Sequence, residues 1–196
     1  MLLVMAGAMA MALPDGETNL ARDIERNLSR DVVESNLAAV WYEAFVDPQG
    51  LILSCDVRGV IGDVKAAASA CEEIVGMKVA VARNSNGEAV HGSFLGSVVL
   101  ADGTQLEKQE LEADIVLPVR SLEKPVRSNV VVEVDREGAV SACEPADGVL
   151  DAYARTACAE AKTVALPVKR SAGGEAVEYV FPLTFEFRDS TELAMN

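Results

Sequence analysis

The segments FVDPQGLILSC (45–55) and EVDREGAVSAC (133–143) align at a constant offset of 88, and each ends in a cysteine. The match continues with Cys71 against Cys158 and GEAV (87–90) against GEAV (174–177), now 87 residues apart. One residue has therefore dropped out between the paired cysteines. Self-similarity at a fixed period is the signature of a repeated structural unit, and whatever fold one copy takes the other must also accommodate.

Each copy reads as a hairpin, a helix and a long strand. In the second, VVVEVD (130–135) is β-branched, Gly138 lets the REG turn take a positive φ, and AVSAC (139–143) returns as the partner strand. From Val149 to Thr163, the residues Leu150, Tyr153, Ala154, Ala157, Cys158 and Ala161 share one helical face. Residues 175–187 then alternate, with Val177, Tyr179, Phe181, Leu183, Phe185 and Phe187 on one side and Glu178, Thr184 and Glu186 on the other. The first copy supplies AVWYEAFVD, LILSC, a strand near 88–101, and a helix near 63–75. That helix carries Val64, Ala67, Ala68, Cys71, Ile74 and Val75 on one face. The expected fold is α+β: two tandem β-β-α-β modules, each a helix packed on a small antiparallel sheet.

The remaining boundaries follow. Residues 1–12 form a signal-like segment, 13–38 an N-terminal helical segment with Leu20, Ile24 and Leu28 at i+4 spacing, 39–101 the first module, 102–128 an inter-module segment, 129–187 the second module and 188–196 a tail. Loops as long as 102–128 are uncommon without structure of their own, so its apolar island Ile115–Val119 is expected to form a strand or dock between modules.

In both copies one cysteine ends the second strand and the other lies on the buried face of the helix. Packing helix on sheet brings the two together, so the repeat selects Cys55–Cys71 and Cys143–Cys158 from the three possible connectivities. A zinc site would need both modules to converge on one metal, redox catalysis usually uses closer spacing, and free buried thiols are the reading for a chain that is not exported. The apolar N-terminus, MLLVMAGAMAMALP, resembles the core of a secretory signal. It has no basic lead, but it offers small-x-small cleavage patterns at Ala8-Met9-Ala10 and Ala10-Met11-Ala12. A periplasmic or secreted location is the expectation, with no membrane span in the mature chain.

Chemistry is sparse. The net charge of −14 argues against nucleic acid and anionic membranes. His91 is the only histidine, and its expected role is structural. SAGGEAV lacks the Lys-Ser/Thr of a phosphate loop. No catalytic, metal or cofactor site is expected, although an enzyme built on two carboxylates stays open.

The pattern V-x-V-D-x-x-G-x-V-x-x-C-x-x-x-x-G-x-L-D-x-x-x-x-x-x-C, followed by a proline and G-x-x-V, resembles the TonB C-terminal domain family in its periplasmic, cysteine-paired form. The residues are Val132, Val134, Asp135, Gly138, Val140, Cys143, Gly148, Leu150, Asp151, Cys158, Pro167, Gly174, Val177 and Phe187. The first copy lacks the Leu-Asp pair and the proline, and the chain has no Pro-rich spacer.

The resemblance implies a non-enzymatic protein-interaction protein that engages an outer-membrane receptor or another envelope protein by strand addition. The docking edge would be the strand Ala176–Phe187, with Glu178, Val180 and Pro182 on the side away from the core. Pro182, which has no N–H, would confine pairing to the stretch before it. A second contact surface is expected at Trp41 and Phe45, where the first hairpin is aromatic and the second carries Glu133. Its partner is either the other module or an external protein.

Overall fold

The computed structural model describes residues 11–13, 39–99 and 113–193. The N-terminal helical expectation, and most of the signal-like segment, fall outside them. Strands β1 (Ala39–Val46) and β2 (Ile52–Ile61) form a hairpin, followed by helix α1 (Val64–Glu73), the short β3 (Ala82–Arg83) and the long β4 (Ala89–Val99). Next come β5 (Ile115–Val119), the hairpin β6 (Val126–Val134) and β7 (Val140–Pro145), helix α2 (Ala152–Ala161), β8 (Tyr179–Asp189) and the short α3 (Ser190–Leu193).

These strands do not make two tandem modules. They join one eight-stranded mixed sheet in the order β2-β1-β4-β8-β6-β7, with β3 added to β4 and β5 added to β8. The joint is parallel: His91 pairs with Tyr179 and Gly92 with Val180. This corrects the expected architecture, and the reason lies in β8. Its odd residues fill one core while Val180 is fully buried on the other face, so the strand needs neighbours on both sides and cover on both faces.

The helices cover opposite faces. Val40, Tyr42, Ala44 and Val46 of β1 pack with Ala67, Ala70 and Cys71 of α1 and with Ile74 just beyond it. Phe45, pointing the other way from the same strand, packs with Val130, Val132, Val134 and Tyr179 and with Ala157 and Ala161 of α2. Parallel central strands with helices on opposite faces relate the two halves by rotation about an axis along the strands.

Local detail recurs at the sequence offset. Asp47 Oδ1 accepts the N–H groups of Gln49 and Leu51 as Asp135 Oδ1 accepts those of Glu137 and Ala139. Asp63 caps α1, and Asp151, 88 residues on, caps α2. Each turn glycine is clasped by the chain beyond its helix: Val79 N–H donates to Gly50 C=O at 2.8 Å, and Leu166 N–H to Gly138 C=O at 2.9 Å. Gly138 has φ 87°, and a Cβ there would stand 2.4 Å from the Leu166 carbonyl oxygen. Gly138→Val is therefore expected to cost at least about 1–3 kcal/mol, from the left-handed backbone alone. Denaturant unfolding would read it, and an unchanged midpoint would refute the clasp.

Both disulfides are formed, Cys55–Cys71 and Cys143–Cys158, each with Cα atoms 5.5 Å apart. The helix ends differ from expectation, since helix α2 starts at Ala152 and leaves Leu150 56% exposed, while Val64 at the start of α1 is 65% exposed. Ala68 is exposed and Ala66 takes a buried place instead. Capping by Asp63 and Asp151 fixes where each helix begins, and so the angle at which its apolar stripe meets the sheet.

Candidate functional site

Trp41, Glu43 and Phe45 alternate along β1 on one face of the sheet, the α2 side on which Phe45 packs. Phe45 is 4% exposed, stacked on His91 with ring centroids 5.6 Å apart and edge-on to Tyr179 at 6.1 Å. It belongs to the interior between the two halves. Trp41 is half-buried over Gly59, whose Cβ would stand 3.6 Å from the indole. The expected aromatic surface pair is thus one core residue and one rim residue.

Between them lies Glu43, 2% exposed. Its carboxylate accepts a hydrogen bond from Lys169 Nζ at 3.1 Å and another from Arg58, a bulged residue of β2. Lys169 also sits 5.5 Å from the Phe45 ring centroid, a cation over an aromatic face. Burial pushes the Glu43 carboxyl up, but Lys169 and Arg58 together outweigh it and hold its pKa below the ordinary value. Nearby Asp114, which accepts from Thr184 N–H at 2.8 Å, is pushed up, chiefly by burial. Tyr179 donates to the Pro167 carbonyl at 2.6 Å, and burial, with Glu43 adding, raises its pKa to about 12. Beside Phe45 in the pairing of β1 with β4 stands Ser93, 0% exposed, whose hydroxyl has no hydrogen-bond partner among the described residues.

Apart from the Ser93 hydroxyl, the polar groups of this cluster are paired with one another or with the backbone. Among the described residues no group of three or more His, Cys, Asp or Glu side chains is placed to hold a metal. A cleft of about 300 Å³ opens at the start of α2, lined in part by Arg127, Asn129, Asp147 and Asp151. Its helix terminus is already occupied, because Asp151 accepts Ala154 N–H at 2.7 Å. No helix of the described residues is long and apolar enough to cross a membrane.

The strand expected to form a docking edge is interior. β8 pairs along β6 on one side, and on the other with β4 at Tyr179–Val180 and with β5 at Phe185–Asp189. Glu178 is exposed just before it, Val180 is fully buried, and Pro182 is half-buried. Thr184 turns its N–H and C=O to Asp114, so Pro182, two residues earlier, turns its missing N–H the same way, into the gap between the β4 and β5 pairings. A proline fits an interior strand there because no ladder bond is lost. The residues expected to bind a partner are therefore not brought together on one surface. The island Ile115–Val119 is β5, paired parallel to β8.

The acid response follows from these contacts. Burial depresses the His91 pKa below 6.5, while Asp47 opposes it. Glu186, bonded by Arg188 and Arg127, is depressed like Glu43. Groups depressed in the folded state stabilise it above their unfolded pKa and lose that contribution as pH falls through the folded one. Stability should decline first below pH 6.5, from His91, and again below 4.5, from Glu43 and Glu186, with Asp114 opposing in the acid range. His91→Gln should remove the first decline in urea titrations run at successive pH values. Its persistence would place the cause elsewhere.

No protein-family model, curated protein or solved structure matches the chain.

Proposed function

We propose that the chain is a non-enzymatic, extracytoplasmic protein-binding protein, related to the TonB C-terminal domain family, that takes up an extended segment of an outer-membrane receptor or other envelope protein. The observation that carries this reading is the outer edge of β2. It is the terminal strand of the sheet, ten residues long, and beyond Ile52, whose N–H and C=O are taken by Met77 and Gly76, it pairs only with β1 among the described residues. The opposite edge, β7, has six residues. A long open edge supplies unpaired N–H and C=O groups, which an added strand satisfies, while alternate side chains give specificity. Two disulfides in a small chain accord with an oxidising compartment. Extended peptides from the periplasmic segments of outer-membrane receptors should slow amide exchange along 53–61; exchange unchanged by every such peptide would sink the reading.

Export has a structural corollary at Met11. Its backbone nitrogen lies 3.0 Å from Glu144 Oε2, and Ala12 forms a bridge with Arg83. Cleavage after Ala10 would leave the Met11 ammonium on that carboxylate, a charge-assisted bond, whereas cleavage after Ala12 would remove both contacts. The N-terminal sequence of the exported protein should therefore begin Met11-Ala12-Leu13. A start at Leu13 would refute this.

A further inference from the structure

The two outer strands of the sheet occupy equivalent places in the repeat, and one position separates their edges. Val57 faces Tyr42 across β1 and β2 as Pro145, 88 residues on, faces Val130 across β6 and β7. Ala146 donates its N–H to Asn129 C=O at 2.9 Å, so Pro145 beside it turns its nitrogen away from β6, toward the open side. Proline has no N–H to offer there, and that is one way an edge is closed to an added strand. Val57 supplies the missing donor at the same place. Strand β2 then runs on to Ile61, whereas β7 stops at Pro145. The first half leaves open what the second half closes.

Side chains on the open strand sort by face. Cys55 and Val60 pack against the α1 core, and Val57, opposite Tyr42 of that core, shares their face and is 38% exposed. Asp56 lies on the other face, opposite Glu43. The charges around it are few. Lys169 and Arg58 both bind the Glu43 carboxylate, and Asp114 stands near Glu43 and Arg58. Three carboxylates thus share two cations, and both cations are on Glu43. Asp56 is exposed and has no hydrogen bond or ion pair among the described residues. The net charge of the whole chain, −14, has the same sign. The unmet charge at this edge is negative.

We infer that the β2 edge takes an extended partner segment with an apolar side chain against Val57 and, next to it, a basic side chain against Asp56. This rests on the reading of β2 as a strand-accepting edge and adds the chemistry of the strand. Val57 turns its N–H outward, so Asp56 beside it turns its own toward β1. An antiparallel partner then meets Asp56 in a non-hydrogen-bonded pair, where facing side chains come closest. Opposite charges in such a pair are favoured and like charges disfavoured.

The test uses the whole oxidised protein and two acetylated, amidated heptapeptides, Val-Ser-Val-Lys-Val-Ser-Val and the same sequence with glutamate in place of lysine. The lysine peptide should slow exchange of the Val57 amide and bind about ten-fold tighter than the glutamate peptide. Asp56→Asn, at an exposed position, should erase the preference and keep the protection. Val57→Pro, which gives this edge the residue of the other, should remove protection by both peptides in a protein whose thermal melt shows it folded. Should that variant fail to fold, the two peptides on the unaltered protein still decide. Equal affinity for both peptides, or a preference that survives Asp56→Asn, would overturn this inference and leave the edge itself standing. Protection of 53–61 by neither peptide would overturn the edge and the inference together. Protection that grows with protein concentration in the absence of peptide would assign the edge to a second copy and overturn the inference as well.

Discussion

Replacing Cys158 by alanine in the oxidised protein should lower its stability by about 2–5 kcal/mol. Helix α2 reaches the sheet through Ala154, Ala157 and Ala161, which bury little apolar area, and through Tyr153, half-buried with its ring centroid 5.0 Å from that of Phe187. The bond to Cys143 ties that helix to β7, the short terminal strand, across 15 residues. Without it the helix would be held by three alanines and one half-buried ring. Cys71→Ala should cost less, since α1 is followed by Ile74, which is 1% exposed in the core. Denaturant unfolding of the two variants gives the comparison, and equal losses would show that the alanine face is not the weak point. Non-reducing peptide mapping should link 55 to 71 and 143 to 158, and four free thiols would overturn both bonds.

Glu43→Ala should cost about 3–5 kcal/mol, because it leaves Lys169 beside a buried site with no counter-charge. The other half of the sheet shows how to repair it. Positions equivalent to Glu43 and Lys169 there are Val131 and Ala82, which pack together in an apolar cluster. Glu43→Val combined with Lys169→Ala should therefore recover most of the loss, since a well-packed apolar pair often matches a buried ion pair. Arg58, whose side chain is 46% exposed, can turn to water. A double-mutant cycle measures the coupling. Additive losses would mean that the two residues do not act as a pair.

The cysteine pairing was legible because it rests on short-range order. The strand end at Cys143 and the helical stripe through Cys158 are 15 residues apart, and each leaves a local periodicity. The union of the two halves leaves none, since parallel pairing of β4 with β8 joins residues 88 apart and no turn announces it. A signal did exist in YVFPL (179–183), where both odd and even positions are apolar, as in a strand covered on both faces. Reading only the odd positions made it a half-exposed edge. Phe45, aromatic where the other hairpin has Glu133, left two contacts open, the other module or an external partner, and its packing against Val130 and Tyr179 of the other half is the first of these. Glu43 and Lys169 are 126 residues apart, and their pairing becomes visible only once both halves share one sheet.

The slender parallel joint also governs how the chain assembles. Two residue pairs, His91–Tyr179 and Gly92–Val180, tie β4 to β8 across 88 residues, whereas the disulfide loops span 16 and 15. Closing the longer loop costs roughly 1.5 kcal/mol more in chain entropy. Each hairpin with its helix therefore forms first and the joint last, leaving an interval in which β4 and β8 are unpaired edges on folded halves. During that interval the β4 of one molecule meets the β8 of another as readily as its own once concentration is high enough. Refolding at high concentration should then yield exchanged dimers with the native joint made between chains, and dilute refolding should yield monomers.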